Sequence, residues 1–321
     1  MDTINLEFWM TNLPAQLRQW PLINLAIPGS HDSMTANITR SSKLAPDAEV
    51  ILKRLRWLGP ILRAFMYKWC RTQNLNTVEQ LKSGIRYFDL RVATKPGSTY
   101  PYFVHGLYSN EIVSSLNDFR DFVETHPDEV LILDFQHFYS FSDLDHNNLV
   151  ELINVIFKDK LLPRSNDLKH VSLNFMTSIN KYQVIVIYRK GNSELFLWPG
   201  NFFPTPWPAT VSKADLIQKL DNGLAHRRSD IAYISQFLLT PTNWFVFKNF
   251  YSSLKKKCVL PLQNTKLDWI NRQKIGGEKG INIVIGDFID IENNQFMIDI
   301  IELNFKHSDS SLISLTPIET S

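Results

Sequence analysis

Hydrophobic positions along the chain alternate between short strand-like runs and longer stretches with helical spacing. Short apolar runs predict strands at residues 22–27, 85–92, 102–105, 130–137, 183–189, 231–239 and 281–287. Helical periodicity predicts helices at residues 111–126, 143–157, 212–223 and 293–303. Strands that alternate with helices are typical of a parallel sheet, so the sequence predicts an α/β protein.

Three of the predicted strands bring residues that can carry acid–base chemistry. The first strand is predicted to end in a turn at Pro28-Gly29, and His31-Asp32 follow closely. Alternation along the second strand puts Asp89 and Arg91 on one face, and the third strand ends in His105. An imidazole exchanges protons near neutral pH, which makes this set a catalytic candidate. The alternative for each histidine is a structural residue with satisfied hydrogen bonds.

Composition limits the class of protein. The chain has 321 residues, of which 44% are hydrophobic and 21% charged, as in an ordinary globular domain. A net charge of +2 argues against a nucleic-acid partner. Only two cysteines are present and the N-terminus lacks a signal-peptide pattern, so we expect a cytoplasmic protein. No apolar run approaches about 18 residues, so no transmembrane segment is predicted.

Several motifs occur together in the order and spacing of a known family. They are Leu25-Ala26-Ile27-Pro28-Gly29-Ser30-His31-Asp32-Ser33, Gly84-Ile85-Arg86-Tyr87-Phe88-Asp89-Leu90-Arg91, His105-Gly106-Leu107, Leu133-Asp134-Phe135, Leu197-Trp198-Pro199-Gly200, Leu239-Thr240-Pro241 and Asp287-Phe288. The chain resembles the X domain of phosphatidylinositol-specific phospholipases C, in particular small eukaryotic proteins that contain little else. The resemblance implies a distorted (β/α)8 TIM barrel, a single domain over residues 21–305. Residues 1–20 would form a leading segment, and residues 306–321 are expected to be a disordered tail.

The resemblance also implies a role for each candidate catalytic residue. His31 corresponds to the general base that removes the proton from the inositol 2-hydroxyl, and Asp287 to the carboxylate that orients it. His105 corresponds to the general acid that protonates the departing diacylglycerol oxygen, with Asp32 as its partner. The products would be diacylglycerol and an inositol cyclic phosphate.

Arg91 and Asp89 bear on whether the reaction needs a metal. Calcium-dependent relatives carry two acidic metal ligands on this strand, whereas Arg91 matches the bacterial, metal-independent enzymes. Asp32 stands where the calcium enzymes have a ligating asparagine. The resemblance therefore implies no metal and no cofactor, with the guanidinium bonded to phosphate oxygens. A structural ion pair between Asp89 and Arg91 is the alternative, and it is compatible with that role.

Four further residues are candidates for contacts with the substrate headgroup. Asp134 and Gln136 are predicted to share one face of the fourth strand. Gln136 departs from the family, which has a lysine or an acidic ligand there, although an amide can still bond a hydroxyl. Arg189 matches an inositol-binding arginine, or is a solvated strand end. Trp207 is either an aromatic platform under the inositol ring or a core residue.

Two stretches, 53–71 and 244–257, mix basic and aromatic residues. That composition suits an anionic membrane surface, and the alternative for each is an amphipathic helix packed on the barrel. We therefore expect a phosphoinositide lipid substrate and peripheral membrane contact. Two other functions stay open: a headgroup-binding module without turnover, and a metal-dependent glycerophosphodiesterase, for which Arg91 is the wrong residue.

Overall fold

The computed structural model describes residues 4–312 of the chain. Over these residues seven parallel strands are hydrogen-bonded in the order β7, β6, β5, β2, β1, β9, β8, and an antiparallel hairpin of β3 and β4 extends β2. The strands are β1 (Ile27–Ser30), β2 (Tyr87–Ala93), β3 (Tyr102–His105), β4 (Leu107–Glu111), β5 (Leu131–Tyr139), β6 (Val184–Tyr188), β7 (Leu197–Trp198), β8 (Ile234–Gln236) and β9 (Ile283–Gly286).

The curled sheet closes between its two outer strands, β7 and β8, through an irregular segment. The carbonyl oxygens of Phe202 and Pro204 accept hydrogen bonds of 3.0 Å from the backbone N–H groups of Ala232 and Ile234. Pro204 has no N–H group to donate, so this segment does not form a regular ladder. The predicted distorted TIM barrel is confirmed, with an irregular segment where an ideal barrel has a further strand.

Helices cover the outside of the barrel. They are α1 (Ala15–Arg18), α2 (Val50–Arg54), α3 (Pro60–Cys70), α4 (Thr77–Lys82), α5 (Ile112–Thr125), α6 (Asp143–Phe157), α7 (Lys213–Ala225), α8 (Asn243–Lys248), α9 (Gln263–Asn271) and α10 (Ile291–Leu312). The predicted helices at 111–126, 143–157 and 212–223 are confirmed. Ser142 and Ser212 cap two of them, because each hydroxyl accepts the backbone N–H three residues later.

Helix α10 is longer than predicted. It opens with left-handed backbone at residues 292–294 and runs to Leu312, beyond the predicted end at residue 303. The helix therefore includes residues 306–312, the first part of the tail that was expected to be disordered. Residues 313–321 of that tail lie outside the described residues.

The predicted turn at Pro28-Gly29 is wrong, because β1 runs through it and residues 22–24 form a 3-10 turn instead. Pro28 cannot donate, but its carbonyl oxygen accepts the N–H of Arg86 at 3.0 Å, which keeps the ladder intact. A Cβ on Gly29 would lie 2.8 Å from side chains of both neighbouring strands, so glycine is required there. The strand consequently ends at Ser30, with His31 next in the chain.

Residues 4–20 lie at the N-terminal ends of the strands. Trp9 is fully buried, and its indole N–H donates to the carbonyl oxygen of Gly84 at 2.9 Å. A fully buried ion pair of 2.8 Å between Arg86 and Glu129 lies at the same end. In barrels of this kind the active site lies at the opposite end, where the C-terminal ends of the strands meet. The domain boundary at residue 20 stays a prediction.

Candidate active site

The six predicted catalytic residues meet at the C-terminal ends of neighbouring strands. Four of them follow or end a strand at this edge, and two lie on β2, where the alternation of the strand turns them inward. Most of them line a cavity of about 680 Å³ that opens at the end of the barrel. The six are His31, Asp32, Asp89, Arg91, His105 and Asp287.

His31 has a different kind of partner on each ring nitrogen. Its Nδ1 lies 2.7 Å from Oδ1 of Asp287, and its Nε2 lies 3.1 Å from Nη2 of Arg91. A carboxylate only accepts and a guanidinium only donates, so in the neutral ring Nδ1 carries the proton and Nε2 the lone pair. Oδ2 of Asp32 also lies 3.4 Å from Nε2. Burial lowers the pKa of His31, but the charges of Asp32 and Asp287 outweigh burial and raise it from 6.5 to about 9.

His105 faces an acceptor on each side of its ring. Its Nδ1 donates to the carbonyl oxygen of Cys70 at 2.7 Å, and its Nε2 lies 3.2 Å from Oδ2 of Asp32. A backbone carbonyl and a carboxylate both accept hydrogen bonds, so each ring nitrogen of His105 lies beside an acceptor. The rings of His31 and His105 are 6.5 Å apart, centre to centre.

Arg91 is held between two carboxylates. Its Nε lies 2.5 Å from Oδ1 of Asp32, and its Nη2 donates to Oδ2 of Asp89 at 3.2 Å. Asp89 also accepts the backbone N–H of Asp32 at 3.1 Å, which supports the left-handed backbone of Asp32 (φ 41°). Burial opposes ionisation of Asp32, but Arg91 and the two histidines lower its pKa to about 2. Within residues 4–312, Nη1 of Arg91 has no partner, which leaves two N–H groups for a ligand.

The same cluster contains a potential metal site. His31, Asp32 and Asp89 bring three ligand atoms within 4.8 Å of one another. Arg91 contacts both of these carboxylates, however, and a calcium ion would need six to eight oxygen ligands in that space. Because the Arg91 guanidinium already neutralises these carboxylates and too few oxygen ligands are present, the cluster fits calcium poorly.

Asp134 is not placed to contact a substrate, which corrects its assignment to the headgroup. Its side chain is fully buried, and it accepts from Tyr87 Oη at 2.6 Å and from Arg189 Nε and Nη2 at 2.9 and 2.7 Å. Burial raises the pKa of Asp134 to about 6, against the opposing charge of Arg189. Its contribution is to hold Arg189, which does line the cavity and is not a solvated strand end.

Gln136 and Trp207 both line the cavity. Trp207 is 62% exposed and donates from Nε1 to Thr240 Oγ1 at 2.8 Å, so it is not a core residue. A β-bulge on β5 inserts Gln136 between the residues that pair with Leu90 and Arg91. Because of this bulge the next residue, His137, also lines the cavity, which strict alternation did not predict. Whether these residues contact a headgroup stays a prediction.

The two basic and aromatic stretches flank the mouth of this cavity. Trp57 and Trp244 are 75% and 61% exposed, and the ring of Trp244 stacks on that of Phe247 at 5.6 Å. The opposite face of α3 is buried, since Leu62 and Met66 pack inward. Each stretch therefore combines a packed face with an exposed aromatic one. Among residues 4–312, every helix is too short or too polar to cross a bilayer.

Comparison with known proteins identifies the family. The chain is 38% identical over 309 residues to PI-PLC X domain-containing protein 2 of Mus musculus, which covers 95% of this chain and 89% of the mouse protein. It is 37% identical over 310 residues to PI-PLC X domain-containing protein 3 of Homo sapiens, with 95% of each chain covered. The chain belongs to the PI-PLC X domain-containing proteins. The predicted family is thus confirmed, although no model of a protein family matches the chain.

Two solved structures that resemble this family member are bacterial enzymes. The phosphatidylinositol-specific phospholipase C from Listeria monocytogenes superposes with a TM-score of 0.62 at 18% identity, over 94% of this chain and 99% of the bacterial one. A variant of the enzyme from Staphylococcus aureus gives a TM-score of 0.65 at 16% identity, over 92% and 97%. Identities this low establish the shared barrel fold alone.

Proposed function

We propose that this protein is a phosphatidylinositol-specific phospholipase C-type phosphodiesterase that works without a metal. The observation that carries the proposal is the contrast between its two facing histidines. His31 has the Asp287 carboxylate on Nδ1 and the Arg91 guanidinium on Nε2, whereas His105 has a backbone carbonyl on Nδ1 and the Asp32 carboxylate on Nε2. A base and an acid beside one cavity are what the displacement of one oxygen on phosphorus by another requires.

In the proposed reaction the inositol 2-hydroxyl is the nucleophile. His31 takes the hydroxyl proton on Nε2 while the oxygen forms a bond to phosphorus, and Asp287 stabilises the resulting imidazolium. The bond from phosphorus to the glycerol oxygen breaks, and His105 gives that oxygen a proton. Diacylglycerol leaves, and inositol 1,2-cyclic phosphate remains.

Arg91 supplies the positive charge that a metal would otherwise provide. Two of its nitrogens are fixed by Asp32 and Asp89, so the guanidinium is oriented before substrate binds. The phosphoryl oxygens gain negative charge as the new bond forms, and the two free N–H groups on Nη1 suit them. At the headgroup end, Gln136, Arg189 and Trp207 are proposed to contact the ring.

Turnover in the presence of a chelator tests this proposal. Purified protein is incubated with a short-chain phosphatidylinositol in millimolar EDTA, and the products are followed by 31P NMR. A cyclic phosphodiester signal that appears at the same rate with and without EDTA is the expected result. Binding to phosphatidylinositol vesicles without any product would favour a headgroup-binding module, and turnover restored by calcium alone would contradict the metal-free site.

We also propose a cytoplasmic protein that binds anionic membranes peripherally through 53–71 and 244–257. Exposed aromatic rings on both sides of the cavity mouth support this, because they would enter the interface while a lipid headgroup enters the barrel. Lys255, Lys256 and Lys257 add positive charge beside the second stretch.

Removal of the exposed tryptophans should weaken membrane binding and leave the chemistry intact. We expect Trp57→Ala with Trp244→Ala to reduce sedimentation with phosphatidylserine-containing vesicles about tenfold or more, since two interfacial aromatic anchors are lost. Turnover of a soluble, short-chain substrate should stay within about twofold. Ile179→Ala is a matched control, because Ile179 is equally exposed but precedes β6 at the other end of the barrel. Vesicle binding that is the same in all variants would contradict the proposed surface.

A further inference from the structure

Another carboxylate, that of Asp47, lines the active-site cavity, on the loop that precedes α2. Asp47 accepts the backbone N–H of Gly106 through Oδ2 at 2.6 Å. Its second oxygen, Oδ1, is buried and has no hydrogen-bond partner among residues 4–312. Nothing in the proposed reaction uses this residue, and buried unpaired carboxylate oxygens are uncommon in proteins. Its position relative to His105 provides an explanation.

The loop that carries Asp47 is fixed to the turn that follows His105. Ala45 N–H donates to the carbonyl oxygen of Gly106 at 3.0 Å, and Tyr108 N–H donates to that of Lys43 at 2.9 Å. Gly106 has a φ of +69°, and a Cβ there would lie 2.7 Å from Sγ of Cys70. The backbone next to His105 therefore has little freedom, and Asp47 accepts the N–H of Gly106 within it.

Electrostatics connect Asp47 to His105 as well. Burial raises the pKa of Asp47, and the charge of His105 opposes that rise. The electrostatic effects that involve Asp47 are those of Asp32 and His105 on its pKa, and its own effect on Cys70, Tyr108 and Tyr139. Burial raises the pKa of the thiol and of both phenols, which keeps them neutral near pH 7. Within this set, His105 is the group that can balance the charge of Asp47.

The other carboxylate beside His105 is already shared. Asp32 contacts Arg91 at 2.5 Å, His105 at 3.2 Å and His31 at 3.4 Å. Among the predicted catalytic carboxylates, Asp287 binds His31 and Asp89 binds Arg91. Asp47, which accepts the N–H of the residue after His105, is thus a second carboxylate beside the general acid.

We infer that Asp47 is a positioning residue for the general acid: it fixes the backbone beside His105 and favours the protonated imidazole with its negative charge. This inference rests on the proposed function. On this basis Asp47 matters only when the leaving group needs a proton. It should not matter when the leaving group departs as a stable anion, as nitrophenolate does.

Asp47→Asn separates charge from geometry, because the amide oxygen can still accept the Gly106 N–H. We expect turnover of phosphatidylinositol to fall about tenfold at the pH optimum, with turnover of a nitrophenyl inositol phosphate within about twofold. The alkaline limb of the phosphatidylinositol profile should move to lower pH, because the imidazole loses its proton more easily. Asp47→Ala also removes the acceptor, and we expect a larger loss.

Asp159→Asn is the control, since it removes an equal charge from an exposed side chain that precedes β6 at the other end of the barrel. It should leave the ratio of the two rates unchanged. An equal loss on both substrates in Asp47→Asn, or no change in the ratio, would overturn the inference. If Asp47→Asn melts at a much lower temperature than the parent, Asp47→Ser, which keeps a short acceptor, takes its place.

A second measurement does not depend on turnover. The ring signals of His105 are assigned by comparison with His105→Ala and titrated by NMR in the free protein. The midpoint of His105 should lie at lower pH in Asp47→Asn than in the parent or in Asp159→Asn. If this shift occurs in a protein that cleaves neither substrate, the link between Asp47 and His105 stands and the proposed function falls. An unchanged midpoint would overturn the link itself.

Discussion

Replacement of His31 should abolish turnover of every substrate, whereas replacement of His105 should abolish turnover only where the leaving group needs a proton. We expect His31→Ala to lose about 10²–10⁴-fold on both phosphatidylinositol and a nitrophenyl inositol phosphate, because the general base that Asp287 orients is removed. His105→Ala should lose a similar factor on phosphatidylinositol and much less on the nitrophenyl substrate. Initial rates on both substrates measure the difference.

The dependence of the rate on pH checks the same assignment. His31 acts as a base only when Nε2 is unprotonated, and its raised pKa places that change at about pH 9. We therefore expect kcat/KM to rise with pH up to about 9, and the rise should be absent from the residual rate of His31→Ala. His170→Ala is the control, since His170 is exposed and distant in the fold from the cavity. Equal losses on both substrates in both active-site variants would contradict the separate roles.

The catalytic cluster could be predicted from sequence because each member is fixed by its position on a strand. His31 and Asp287 follow parallel strands, which end at one edge of a sheet, so these separate segments of the chain converge there. His105 ends β3, which runs antiparallel to β2 and was placed by the resemblance. Asp89 and Arg91 follow from alternation on β2. The resemblance to a family implied the catalytic roles of these residues, and the structure added the different hydrogen-bond partners of His31 and His105.

Predictions on β5 failed where the strand is irregular. Alternation puts Asp134 and Gln136 on one face, but it says nothing about depth in the barrel or about a bulge. Asp134 lies below the cavity and binds Tyr87 and Arg189, and the bulge adds His137 to the cavity wall. A bulge depends on how a strand pairs with its neighbour, so the hydrophobic pattern of the strand alone does not predict it.

Asp47 was missed for a related reason. It lies in a loop without periodicity, 59 residues before the Gly106 N–H that it accepts. The hairpin that carries Gly106 was also predicted only in part, because residues 107–111 were not recognised as β4. Contacts between loops are set by tertiary packing, and a single sequence contains little information about them.

Arg91 should be indispensable to turnover, and the effect of its replacement should be large. The guanidinium is the fixed positive charge beside the expected position of the phosphate, and it also donates to Nε2 of His31. We expect Arg91→Ala to reduce kcat about 10²–10³-fold, which corresponds to roughly 3–4 kcal/mol of transition-state stabilisation. Arg228→Ala, which removes an exposed arginine paired with Asp230, should leave the rate unchanged.

Arg91→Lys tests whether charge alone is sufficient. An ammonium group can balance one carboxylate but cannot contact Asp32, Asp89 and a phosphate oxygen in one plane. We therefore expect the lysine variant to recover only part of the loss seen in the alanine variant. Full recovery of kcat would show that the planar fork is not needed.

Arg91→Asp is the strongest test of the metal-free site. It restores a carboxylate where the calcium-dependent relatives are expected to have one, and it puts a third carboxylate beside Asp32 and Asp89. Even so, we expect no activity with millimolar calcium, because the neutral Gln136 leaves the oxygen shell incomplete and His31 loses its donor. Calcium-dependent turnover in Arg91→Asp, or a parent protein that EDTA inactivates and calcium restores, would contradict the role given to the guanidinium.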